Sequence, residues 1–150
     1  MAQELMIIAL CCATLFAGCA GTRPSNLGVH KGKLAPCPKS PNCVSSQSDH
    51  ERHRVSPFRY DSSPESAFSA LKRVVRSMER TNIVTETDNY FHAEFKSALM
   101  GFVDDIEFYH DEREDVIHVR SASRVGYSDF GVNRRRVESI RERFNRELKE

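Results

Sequence analysis

Tryptophan is absent from the 150 residues, and so is any apolar run near the ~20 residues that a helix needs to cross a bilayer. Charge of one sign is not in excess: 22 Lys and Arg stand against 21 Asp and Glu, a net of +1. That balance argues against a general nucleic-acid binder, which presents a strongly basic surface. There is no low-complexity tract and no internal repeat, which sets aside repeat architectures. No C-x-x-C pair and no G-x-S-x-G sequence occurs, so neither a zinc knuckle nor a hydrolase nucleophile elbow is written in the chain.

The N-terminal segment is more informative. Leu5 to Phe16 is apolar, about a dozen residues, the length of a signal h-region. Ala17-Gly18-Cys19 follows directly. A small-small-Cys ending on such a run resembles the lipobox of bacterial lipoproteins, with two departures. Phe16 stands where an aliphatic residue is usual, and Met1 to Glu4 carries no Lys or Arg. The expectation is cleavage after residue 18 and lipidation of Cys19. The protein is then held to a membrane through its lipid, on the periplasmic face of the cell envelope. Ala20, not Asp, follows the cysteine, which by the same resemblance favours the outer membrane. Several acyl chains anchor durably, since each buried methylene contributes ~0.8 kcal/mol.

Removing residues 1–18 takes away one acid, Glu4, and leaves a balance of +2. The expected organisation is a signal peptide over 1–18, a lipidated cysteine and flexible tether over 19–35, and one globular domain over 36–150. Cys37 and Cys43 are the remaining pair, framing Pro-Lys-Ser-Pro-Asn. In an oxidising compartment so short a loop, turned by two prolines, is expected to close as a disulfide.

Period and turn signals give the elements. Ser63 or Ser62 can cap a helix beginning at Pro64. Ala67, Phe68, Leu71, Val74, Val75 and Met78 form its apolar stripe. The period then falls to two over Asn82–Thr87, Tyr90–Ser97, Phe102–His110 and Val116–Val125, with turn residues between the runs. Arg54 to Tyr60 has the composition of a further short strand. A second helix is expected from Asp129 or Gly131, with Val137, Ile140, Phe144 and Leu148 as its stripe. The fold class is α+β: an antiparallel meander of about four strands, two helices on one face, and a disulfide-pinned irregular segment ahead of it.

Four stretches together are similar to domain-of-unknown-function family 1499: Pro36 to Ser46, Phe91 to Phe95, Gly101 to Phe108, and Arg120 to Glu138. The likeness covers about residues 34–145. It implies no particular activity. It implies export or lipid anchoring, as the Cys19 segment does.

Three groups of side chains are candidates for chemistry. Arg120, Arg124, Ser128, Arg134 and Arg135 gather where a strand turns into a helix. A helix N-terminus exposes free N–H groups, and guanidinium forks suit carboxylate or phosphate, so an anionic small molecule is one expected partner and an envelope protein another. The competing reading is structural, with Ser128 or Asp129 capping the helix and the arginines paired to Glu94, Asp104, Asp105 or Glu107. The second group is the polar sheet face. Glu94 or Asp105 as base with His118 as acid would make a hydrolase, and His92, Glu94 and His118 could ligate a metal. Third, Ser45, Ser46, His50 and His53 lie in a polar loop where turn and capping roles are the expectation. Neither a catalytic residue, a metal nor a cofactor is assigned. A structural or assembly factor acting by protein contact is the remaining alternative.

Overall fold

The computed structural model describes residues 20–149; the expected signal segment and Cys19 lie outside the described residues. Among these residues the element order is β1 (Cys43–Ser45), a 3-10 turn (Glu51–His53), β2 (Phe58–Arg59), α1 (Pro64–Arg76), β3 (Thr81–Glu86), β4 (Tyr90–Lys96), β5 (Val103–Asp111), β6 (Val116–Ser123) and α2 (Val132–Glu147). No helix of the described residues is long and apolar enough to cross a membrane.

The expected α+β class holds. The sheet is antiparallel with six strands, in the order β1-β6-β5-β4-β3, and β2 also pairs with β6. Four strands are the expected meander. The other two divide the outer edge of β6, with Cys43 opposite Ala122 and Phe58 opposite Ile117. β1 falls inside the segment expected to be irregular. The Cys37–Cys43 disulfide (Cα–Cα 5.6 Å) closes on its first residue.

Alternation decides the two faces of the sheet. Phe91, Ala93, Phe95, Ile106, Phe108, Ile117 and Val119 point to the helices and are buried. Pro64 opens α1, and the Ser63 Oγ accepts from the Ser66 N–H at 3.2 Å. Five of the six expected stripe residues are buried, and Met78 packs at the margin. α2 contributes Val137, Ile140 and Phe144. Phe58 meets Phe108 and Phe144 edge-on, with ring centroids 5.7 and 5.5 Å apart. Each of these side chains contributes roughly 1.5–3 kcal/mol through burial. Phe102, expected to open the period-two run Phe102–His110, instead sits outside β5 and is exposed.

Residues 20–35, expected as a tether, pack against the sheet. Arg23 bonds Glu94, the Gly28 N–H donates to Glu107 at 2.7 Å, and Leu34 and Ala35 are buried. Gly21 has φ +67°, and a Cβ there would fall 2.8 Å from the Arg124 Cβ and 2.9 Å from Val125 Cγ1. Only glycine fits so close an approach.

One end of the sheet gathers the start of this segment, the 97–102 turn, the 124–131 loop and the N-terminus of α2. The opposite end carries the 87–89 and 112–115 turns.

Candidate functional site

The face turned away from the helices holds His92, Glu94, Asp105, Glu107, His118 and Arg120. Register places Glu94 opposite Asp105, and Glu107 between His92 and Arg120. Adjacent carboxylates on a buried face need cations. Arg124 supplies one, its Nε and Nη2 each 2.8 Å from an Asp105 oxygen, with Nη2 also on Glu94. His92 Nε2 lies 2.8 Å from Asp105, and Asn82 and Arg23 complete the shell of Glu94. Glu107 takes Arg120, the Tyr90 hydroxyl and the Gly28 N–H. The Arg120 Nε is buried without a protein partner among the described residues.

The charges follow from these contacts. Burial raises the Asp105 carboxyl, but the Arg124 and His92 hydrogen bonds outweigh it and hold its pKa at about 2. Burial likewise opposes ionisation of Glu94, while Arg124, Arg23 and Asn82 bring it below the usual range. The Tyr90 hydroxyl is pushed up, by burial first and by Glu107 next. Asp105 therefore has little affinity for a proton, and the 20–35 segment covers the network.

His118 is not part of that network. It stacks on Tyr109, its Nδ1 is 3.0 Å from the Ser46 Oγ, and its Nε2 is 3.5 Å from Glu114. Burial lowers its pKa, with Glu114 and Asp111 acting the other way. The base-and-acid pairing of Glu94 or Asp105 with His118 is thus not assembled, nor is the ligand set His92, Glu94 and His118. Asp111, Glu114 and His118 bring one ligand atom each within 4.8 Å of one another. The Asp111 carboxylate is already gripped by Arg113, which holds its pKa at about 2. Ser46 has tertiary partners that its sequence context concealed, but its Oγ also accepts from the Val119 N–H at 2.9 Å. Here it extends the edge of β6. The Ser45 Oγ accepts from the Gln47 N–H in a turn, and the His53 Nδ1 meets the Cys43 carbonyl at 2.8 Å beneath exposed His50.

The five residues proposed from sequence to hold an anion are divided. Arg120 and Arg124 sit on the polar face, neutralised by carboxylates. The Ser128 Oγ accepts from the Phe130 N–H, and Arg134 donates to the Arg52 and Arg54 carbonyls. Asp129 caps α2, accepting from the N–H groups of Gly131 and Asn133. These hydrogen bonds lower its pKa against the opposing effect of burial. Only Arg135 faces a cavity.

That cavity is a cleft of about 630 Å³ between the end of α1, β4 and the first three turns of α2. Arg80, Lys96, Arg135, Arg136 and Arg143 line it, against the acids Glu79 and Asp104. Glu79 pairs with Arg80 and Asp104 with Arg136. Arg135 donates to the Phe130 carbonyl, and Lys96 and Arg143 have no acidic partner among the described residues. Guanidinium groups not already paired to a carboxylate are suited to phosphate or carboxylate. Sequence reasoning missed Lys96 and Arg143 because they come from separate elements, and no local pattern joins them. The apolar pair Leu99-Met100, in a turn where polar residues are usual, was a legible signal that went unread.

A family model described as a protein of unknown function (DUF1499) matches residues 33–144. No curated protein matches the chain.

Proposed function

This chain belongs to the DUF1499 family of proteins of unknown function, and on that footing we propose a lipid-anchored cell-envelope protein that binds an anionic group without catalysis. Cys19, following its apolar run, supports the anchor, and Ala20 after it favours the outer membrane. The cleft between α1 and α2 carries the binding reading: three cations line it that no carboxylate among the described residues neutralises. Their low local competition favours a phosphate or carboxylate group arriving from solution or from a larger molecule.

Titration of the full chain in detergent with inorganic phosphate, followed by calorimetry, tests this. Saturable binding is expected, weakened about tenfold in Arg135→Ala/Arg143→Ala, the loss of charge-assisted hydrogen bonds. Absence of saturable binding, or binding equally strong in the double variant, would overturn the cleft as an anion site.

A further inference from the structure

Five large apolar side chains are exposed at one end of the molecule. Leu99 is 92%, Phe130 87% and Tyr127 73% exposed, and Met100 and Phe102 stand out beside Leu99. Scattered exposed residues would mean little, but a cluster marks a contact surface. These residues belong to two loops that leave neighbouring strands at the same edge. The Arg124 N–H donates to the Val103 carbonyl, and Ala98 and Val132 share the wall of one cleft. The backbone at Phe130 is also forced. Its φ is +51°, an unusual state for a bulky residue. Ser128 accepts its N–H and Arg135 donates to its carbonyl, so the loop is clamped with the ring turned to solvent.

We propose that this end docks into the lipid bilayer that holds the anchor, with the 97–102 and 125–131 loops entering the headgroup layer. The inference rests on the anchor proposed above. The first argument is position. Gly21 lies against Arg124 and Val125, at the base of the 125–131 loop. Cys19 is two peptide bonds from Gly21, and neighbouring Cα atoms are ~3.8 Å apart. The described chain therefore enters the domain, two residues after Cys19, at the end where the apolar loops project. The second is charge. Lys96 and Arg135 lie at this end without acidic partners among the described residues, while Asp104 and Asp129 are occupied by Arg136 and by the helix N–H groups. Cations behind apolar tips match an anionic membrane surface. The third is composition, since aliphatic residues with Phe and Tyr fit the boundary between acyl chain and headgroup.

The missing tryptophan makes the test clean. Leu99→Trp, Phe130→Trp and, at the opposite end, Glu112→Trp each introduce a single indole at an exposed position. Each lipidated full chain is reconstituted into vesicles of phosphatidylethanolamine and phosphatidylglycerol with brominated acyl chains. The indoles at 99 and 130 are expected to lose about half of their emission or more, as shallow insertion brings them near the bromines, while the one at 112 keeps its emission. Equal emission at all three positions in an anchored protein overturns the docking and leaves the anchor intact. Indoles at 99 and 130 that are shielded from aqueous iodide yet untouched by bromine would place a protein on this end, and overturn it too. The anchor itself fails separately, if the chain never enters the membrane fraction of cells.

Discussion

Without the Arg124 guanidinium, Asp105 would remain buried with one partner and Glu94 would lose its shortest contact. Arg124→Leu is therefore expected to cost about 3 kcal/mol, the usual penalty for stranding one side of a buried pair. Urea unfolding measures it, and Arg124→Leu/Asp105→Leu should recover part of the loss. The same residues set the response to acid. The Asp105 carboxyl titrates at about 2 in the folded chain against an ordinary 3.8. Its contribution, about 2 kcal/mol, is complete above 3.8 and lost as pH falls toward 2. His118 adds a limb of the same sign at higher pH. Burial lowers its pKa from 6.5, so acid favours the unfolded chain below that value. Unfolding midpoints should thus fall in two stages on acidification, and Asp105→Asn should shrink the lower one, to which Asp111 also contributes. A single decline centred near pH 4.5, unchanged in Asp105→Asn, would contradict this assignment.

Elements with a repeating pattern were the legible ones. α1 and β3–β6 each contain enough residues for period 3.6 or 2 to show, and the structure returns them within a residue or two. β1 and β2 have three and two residues, and only β2 was signalled, by the composition of Arg54 to Tyr60. Nothing so short has a period, and both exist because β6 offers them an edge. The pairing of Arg120 and Arg124 with carboxylates was among the readings open from sequence. It followed from alternation, which puts opposite charges on facing strands. The choice between that reading and an anion site needed the register. Asp129 carries the start of α2, whose own first turn has no acidic residue. Asp129→Ala is expected to cost about 1 kcal/mol, read from the guanidine midpoint. Opening the Cys37–Cys43 loop should cost about 2 kcal/mol by chain-entropy arithmetic for so short a ring. The check is the same midpoint with and without reductant.

At the scale of the whole molecule, the cleft lies on the helix side, the charged network on the other, and the projecting loops at the end between them. Replacement of Cys19 by Ala should move the protein from the membrane to the soluble fraction of cells, read by fractionation. The packed 20–35 segment then has a mechanical meaning. A free chain of that length would let a domain wander ~20 Å or more from its attachment point. Here Arg23 and Gly28 fasten the chain to Glu94 and Glu107 within a few residues of Ala20. A domain anchored at Cys19 is thus confined to a thin layer and sweeps a plane instead of a volume. Under the anchor proposed above, its encounters would be with molecules in or on the same membrane, at frequencies set by lateral diffusion, and an object across the envelope would lie beyond its reach.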